Sequence, residues 1–183
     1  MSETSFPCSA VPTIETERLV LRGHTARDLD ASFAIWGDPS VTRHIGGQPS
    51  TREQVWNRLL RYTGHWALMG YGYWAVVEKA SGRLCGEVGL AHGERDLVLP
   101  VASAPEAGWV VAPWAQGQGY ATESVGAALG WIARARGVKR TTCIIDPPNL
   151  ISIRVAGKLG FIGQGQAMYE GTPTLVFERV GAA

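Results

Sequence analysis

A glycine-rich turn over residues 111–123 constrains the fold of this chain more than any other segment, because it joins a strand-like run to a helix-like run. The residues just before it, 108–111, are glycine followed by aromatic and β-branched residues, which is typical of a strand. After it, apolar residues recur at helical spacing: Val125, Ala128, Leu129, Ile132 and Ala133. The segment therefore predicts a strand that runs directly into the N-terminus of a helix.

The start of such a helix is suited to an anion. About four N–H groups in the first turn of a helix have no partner within it, and the helix dipole places roughly half a positive charge there. Gly117 and Gly119 carry no side chain, so the backbone can take unusual dihedral angles and a ligand can approach the amides closely. The turn is therefore predicted to bind a phosphate group.

Spacing separates the known classes of glycine-rich phosphate site. A Walker A loop requires a lysine after its last glycine, but Tyr120 follows Gly119, so that class is excluded. The dinucleotide-binding fingerprint would start at Gly117, but its last small position is Thr122, and Asp146 lies beyond the usual distance of the acidic residue. That match is only partial.

The remaining pattern, Gln116-x-x-Gly119-x-Ala121, resembles the Gln/Arg-x-x-Gly-x-Gly/Ala signature with which GNAT-superfamily N-acetyltransferases hold the pyrophosphate of acetyl-coenzyme A. Downstream, the segment 149–161 resembles the Asn-x-x-Ser helix and Leu-Gly-Phe ending of the ribosomal-protein-alanine acetyltransferase-like branch. Upstream, the segment 15–22 resembles the opening strand of that branch. Further segments match in the family's order, so the resemblance spans about residues 15–180.

The resemblance implies a single N-acetyltransferase domain over residues 1–183, with a core over about 15–180 and a flexible segment over 1–14. The implied fold is of the mixed α/β (α+β) class. Its central sheet would be twisted and mostly antiparallel, with about seven strands and about four flanking helices. The fourth and fifth strands, 106–111 and 141–146, would splay apart, and the pantetheine arm of acetyl-coenzyme A would lie in the gap.

Local patterns add detail before the glycine turn. Thr25 is followed three residues later by Asp28, and Ser50 by Glu53, so each pair predicts a capped helix start. Two strand-like runs flank the segment 80–83, which predicts a hairpin.

The resemblance also assigns the site. The coenzyme would contact the fourth strand, the glycine turn and the two following helices through Trp109, Val110, Val111, Gln116, Gly117, Gln118, Gly119, Tyr120, Ala121, Thr122 and Asn149. A backbone N–H of the strand could polarise the thioester carbonyl. The hydroxyl of Ser152 is the expected proton donor to the departing thiolate.

The implied reaction is direct attack of a neutral amine on the thioester in a ternary complex, so the amine must lose a proton. Glu106 is the predicted base because it begins the strand beside the coenzyme and matches the Glu of the family's Glu-x-Gly-aromatic pattern. An ordinary solvent-facing or ion-paired carboxylate is the competing interpretation, and Glu87 is a second candidate. The tyrosine acid of some relatives has no equivalent, because Val155 and Ala156 are aliphatic.

His44 and Trp74 are the predicted acceptor-binding residues. His44 lies in the loop between the first two helices, which borders the acceptor pocket in this superfamily, with an ordinary solvated loop histidine as the competing interpretation. Trp74 belongs to an aromatic group that could wall the acceptor, with packing as the competing interpretation. The four histidines show no metal-ligand spacing, and no metal is expected.

Composition excludes several other classes. The formal net charge of +1 and the lack of a basic run argue against nucleic-acid binding, and no run is apolar enough to span a membrane. A cytoplasmic monomer or homodimer is expected, and its three widely separated cysteines predict neither disulfides nor a zinc site. The acceptor would be a protein N-terminal amine or a small-molecule amine. A non-catalytic acyl-coenzyme A binding module and a nucleotide-cofactor oxidoreductase are the alternatives.

Overall fold

The computed structural model describes residues 11–94, 101 and 103–181 of the 183-residue chain. In this part the chain forms one sheet of eight strands: β1 (Ile14–Glu15), β2 (Leu19–Arg22), β3 (Tyr73–Glu78), β4 (Leu84–Ala91), β5 (Glu106–Val111), β6 (Arg140–Ile145), β7 (Ile162–Tyr169) and β8 (Thr172–Val180). Five α-helices accompany the sheet: α1 (Leu29–Trp36), α2 (Pro39–Thr42), α3 (Arg52–Met69), α4 (Tyr120–Arg136) and α5 (Leu150–Lys158).

The strand order is β1-β2-β3-β4-β5-β6-β8-β7, and the strands pair antiparallel except for β5 and β6, which are parallel. These two strands have six residues each, yet they pair at a single position, where Glu106 lies opposite Thr142. From there they diverge toward their carboxyl ends. The predicted mixed fold and its splayed strands are therefore confirmed.

Helices cover both faces of the sheet. Adjacent residues of a strand point to opposite faces. Tyr73 of β3 stacks on Tyr62 of α3, while Trp74 contacts Trp131 of α4 and also Trp66, which lies in the last turn of α3. Trp36 of α1 donates its Nε1 hydrogen to Glu87 of β4 on the α3 side. Helices α1 and α3 therefore cover one face, and α4, which packs on β4 and β5, covers the other.

The differences from the sequence prediction are small and have local causes. The extra strand is the two-residue β1 and the extra helix is the four-residue α2, both shorter than a periodic pattern can indicate. Helix α3 is capped by Thr51 with Gln54, one residue later than predicted. The Ser50 N–H instead donates to the Trp36 carbonyl at 2.8 Å, so Ser50 belongs to the preceding loop.

The prediction for residues 1–14 falls mainly on residues outside the described part, and the described positions in it are docked on the sheet. The Pro12 carbonyl accepts a hydrogen bond from Trp74 Nε1, and Ile14 is in β1. No helix in the described part is long and apolar enough to cross a membrane. Cys85 and Cys143 are buried free thiols, and burial raises the pKa of Cys85 to about 12.

Candidate active site

A cleft of about 270 Å³ lies where β5 and β6 diverge. It is bounded by β5, the glycine turn and the start of α4 on one side, and by α5 and the segment around α2 on the other. Of the fifteen residues predicted for the site, twelve line this cleft: His44, Trp109, Val110, Val111, Gln116, Gly117, Gly119, Tyr120, Ala121, Thr122, Asn149 and Ser152. Gln118, Glu106 and Trp74 are not among the lining residues.

The glycine turn has the left-handed backbone that only glycine adopts easily. The φ angle is +77° at Gly117 and +81° at Gly119, and Gly119 leads directly into α4. No side chain caps the start of α4, so its first amides are left for another acceptor. Gln116 closes the turn from its edge, because its side-chain amide donates to the Val111 carbonyl at 3.1 Å.

A polar clamp from the other end of the chain holds the turn and the first helical turn together. Arg18 Nη1 donates to the Gln118 carbonyl at 2.9 Å, and its Nε donates to Glu123 of α4 at 2.8 Å. Thr16 Oγ1 also donates to Glu123, at 2.6 Å. Burial by itself would raise the pKa of Glu123, but the hydrogen bonds from Thr16 and Arg18 outweigh it and hold that pKa below its usual value.

The backbone of β5 offers hydrogen-bonding groups to the gap at alternate residues. The Ala112 N–H donates to the Cys85 carbonyl, and Val110 lies opposite Glu87 in the same antiparallel ladder. Because the bonding direction alternates along a strand, Val110 is directed toward β4. Trp109 and Val111 are directed toward β6, which does not pair with them. Val110 therefore lines the cleft, but its backbone N–H and carbonyl are directed toward β4 within the sheet.

Helix α5 forms the opposite wall. Asn149 caps this helix, since its side-chain oxygen accepts from the Ser152 N–H at 3.1 Å. No hydrogen bond from the Ser152 hydroxyl to any described residue is found. Arg154 and Lys158 also line the cleft, and sequence reasoning missed both. Their i, i+4 spacing on the helix that follows Asn149 was the available signal.

The two predicted carboxylates lie away from the cleft lining. Glu106 sits at the closed end of the gap, where β5 and β6 are still paired. Glu87 is wholly buried, accepts a hydrogen bond from Trp36 Nε1 at 2.8 Å, and lies 3.8 Å from His24. Its position explains why Glu87 is a poor candidate for a base that must meet a substrate.

The prediction that Trp74 binds the acceptor is wrong. Its ring is wholly buried between Trp66 and Trp131, and its Nε1 hydrogen goes to the Pro12 carbonyl. Packing, the competing interpretation, accounts for this residue.

His44 lines the cleft, and the structure adds a partner that sequence reasoning did not connect with it. His44 Nδ1 lies 2.7 Å from Oδ2 of Asp146, the residue that follows β6. The loop after α2 is thereby tied to the end of β6, across the mouth of the gap.

Comparisons with known proteins agree on one family. The model of the acetyltransferase (GNAT) domain family matches residues 18–162. The chain is 28% identical over 170 residues to an uncharacterized N-acetyltransferase, YoaA, of Bacillus subtilis, covering 88% of this chain and 92% of that protein. Among solved structures, a putative GNAT-family acetyltransferase from Bordetella pertussis is 31% identical with a TM-score of 0.79, covering 92% of this chain and 99% of the other.

A more distant structure shares the fold. RimL, a ribosomal L7/L12 alpha-N-protein acetyltransferase solved in complex with coenzyme A, is 17% identical to this chain with a TM-score of 0.75, covering 93% of this chain and 98% of the other.

Proposed function

We propose that this chain, which belongs to the GNAT acetyltransferase family, takes the acetyl group from acetyl-coenzyme A and transfers it to a primary amine by direct attack in a ternary complex. The observation that carries the choice of donor is the continuity of the cleft. The unpaired edge of β5 and the uncapped start of α4 open onto the same space. An extended arm with amides and a pyrophosphate at its end matches that combination.

In the proposed complex the pantetheine amides bond to the backbone of Trp109 and Val111, as a short added strand. The pyrophosphate accepts hydrogen bonds from the amides of the glycine turn and of the first turn of α4. Arg154 and Lys158 supply positive charge on the facing wall. The fold of RimL, whose structure holds coenzyme A, supports this choice of ligand.

The chemistry follows from those placements. A neutral amine attacks the thioester carbonyl, a new C–N bond forms, and the C–S bond breaks. The N–H of Trp109 or Val111 stabilises the negative charge on the carbonyl oxygen. Ser152, whose hydroxyl is without a described partner, donates a proton to the departing thiolate. Removal of the amine proton is the role that sequence reasoning gave to Glu106.

The acceptor is a protein N-terminal amine or a small-molecule amine. The residues that line the cleft include no carboxylate, and that of Asp146 at its mouth is engaged with His44, so the described lining offers little to hold a polycation. This favours an amine of modest charge over a polyamine. The ribosomal substrate in the name of RimL makes a peptide with a free α-amine the first acceptor to try.

A thiol-release assay tests the proposal. Acetyl-coenzyme A would be incubated with a panel that contains a short peptide with a free α-amine, an amino-acid amide, an aminoglycoside and spermidine. We expect release with at least one of the first three, and acetylated product by mass spectrometry. Calorimetry with coenzyme A separates the alternatives. Binding without any turnover would indicate a non-catalytic module, and no binding would refute the proposed function.

A further inference from the structure

We propose that His44 removes the proton from the acceptor amine and that Asp146 is the positioning residue that holds its ring; this inference rests on the proposed acetyl transfer. His44 lies in the turn after α2, and Asp146 lies 102 residues further along the chain. Both side chains are accessible, with exposed fractions of 30% and 28%. A substrate that enters the cleft can therefore reach this pair, which is not true of Glu87.

The hydrogen bond decides which ring nitrogen is free. An ionised carboxylate can only accept, so His44 Nδ1 carries the hydrogen and donates it to Asp146 Oδ2. In the neutral ring the other nitrogen, Nε2, then has a lone pair and no hydrogen. No described residue bonds to Nε2. The pair thus presents a base to the cleft, in the arrangement by which a carboxylate orients a catalytic histidine.

The register of the sheet sets the pair at the same level along the strands as the proposed reacting carbonyl. Glu106 and Thr142 mark the closed end of the gap. Four residues further along the two strands come Val110 on β5 and Asp146 just after β6. The cleft-facing groups of Trp109 and Val111 lie at this same level. His44 is thus aligned with the proposed oxyanion donors, whereas Glu106 lies four residues back.

The two substrates would approach from opposite sides. The glycine turn leads into α4, which covers one face of the sheet. His44 follows α2, which packs on α1, and α1 covers the other face. An amine that enters beside His44 would meet a thioester held from the α4 side. Direct attack requires that both substrates reach the gap at the same time.

Protons balance without any further reactant. An acceptor that arrives as an ammonium gives one proton to His44 Nε2 and becomes the neutral nucleophile. Attack forms the C–N bond and breaks the C–S bond, and the nitrogen then sheds its second proton to water. Ser152 protonates the thiolate and is reprotonated by solvent, to which His44 also releases its proton.

Other charged groups nearby are few. Arg154 and Lys158 of α5 line the same cleft, and Arg43 precedes His44 in the turn. The hydroxyl of Tyr120, the lining tyrosine of α4, is engaged with Glu78. Asp146 is the acidic group in contact with the ring. If a His44 variant no longer shows the fall in rate at low pH (the acid limb of the rate profile), that fall can therefore be attributed to His44.

The test uses His44→Gln and Asp146→Asn, with His92→Gln as the matched control. His92 also pairs with a carboxylate, that of Glu94 at 2.9 Å, and does not line the cleft. The pH dependence of kcat/KM would be measured with the best amine of the panel, and coenzyme A affinity by calorimetry. We expect His44→Gln to lower kcat by about 100-fold or more and to remove the acid limb. Coenzyme affinity should stay unchanged.

Asp146→Asn should lower kcat less, because the imidazole remains, and should shift the ring toward the other tautomer. Two-dimensional nitrogen NMR of the imidazole side chains detects that change without any acceptor. His92→Gln should match the wild type in every measurement. An acid limb that persists in His44→Gln, or an Nε2–H tautomer in the wild type, would overturn the assignment while leaving acetyl transfer intact. A wild type that binds no coenzyme or acetylates no amine would refute both proposals.

Discussion

Replacing Gly119 with valine should separate the role of the glycine turn in binding from its role in stability. Gly119 has a φ of +81°. A Cβ placed there would have only Arg18 Nη2 near it, at 3.5 Å, which is an ordinary contact. The obstacle is therefore the conformation and not the available space. A non-glycine residue in this region costs about 1–3 kcal/mol, and a β-branched one is a clear outlier.

The strained turn has two ways to respond, and both can be measured. If the backbone keeps its shape, the free energy of unfolding falls by about 1–3 kcal/mol, or about 2–4 °C in Tm for each kcal/mol in a domain of this size. If the turn relaxes, the amides no longer converge on one point. A hydrogen bond to a charged group contributes about 1.5–3 kcal/mol, so losing two would weaken coenzyme binding by roughly 10²- to 10⁴-fold. We expect the second effect to dominate.

Gly137 provides the control, because it ends the same helix that Gly119 begins. Its φ is +64°, and a Cβ there would meet nothing within 4 Å. Gly137→Val should therefore carry a comparable backbone strain without touching the cleft. Calorimetry with coenzyme A and thermal unfolding would be run on both variants. If Gly119→Val kept its affinity within about 2-fold while losing as much stability as Gly137→Val, the amide cradle would be refuted.

Four further predictions use the same assays. Ser152→Ala should lower kcat and leave coenzyme affinity unchanged; equal loss of both would place the hydroxyl in binding instead. Glu106→Gln tests the base predicted from the sequence: we expect the acid limb of kcat/KM to persist, and its loss would support Glu106 against His44. Lys158→Ala should weaken coenzyme A more at low salt than at high salt, as a screened charge contact does. Folding lowers the pKa of Glu123. The hydrogen bonds of Glu123 therefore stabilise the folded protein at pH values above its unfolded-state pKa, and this stabilisation is lost as the pH falls through its folded-state pKa. Glu123→Gln should thus have a lower Tm than the wild type at neutral pH, and this difference in Tm should become smaller as the pH falls.

Features set by short-range sequence were predictable. Helix α4 spans Tyr120–Arg136 and contains the apolar positions whose spacing predicted a helix after the glycine turn. The cap of α3 shows where such reasoning stops. Two overlapping patterns, one starting at Ser50 and one at Thr51, were equally acceptable locally. A hydrogen bond from Ser50 to Trp36, fourteen positions earlier, decides between them.

The candidate site likewise has parts that a continuous segment determines and parts that depend on contacts between distant residues. The glycine turn could be found because its proposed ligand-binding groups are backbone amides placed by a continuous segment. The pairs Arg18–Glu123 and His44–Asp146 join residues 105 and 102 positions apart, and nothing in a single sequence couples them. Trp74 was misplaced for a related reason, since an aromatic ring suits a core and a pocket wall equally. Only the alternation along β3 sends Tyr73 and Trp74 to different faces.

The gap between β5 and β6 gives the proposed donor and the proposed acceptor different kinds of surroundings. A sheet that is fully bonded separates its two faces, because backbone hydrogen bonds leave no passage between strands. Here pairing stops after Glu106 and Thr142, so both faces meet along one unpaired edge. The donor side of that edge consists of backbone groups whose directions the strand and helix dictate. The proposed acceptor side consists of side chains on the short segment around α2, including His44, and these can change without disturbing the sheet. The same fold can therefore keep one donor while its acceptor varies, and the residues around His44 are where selectivity for this chain's amine should be sought.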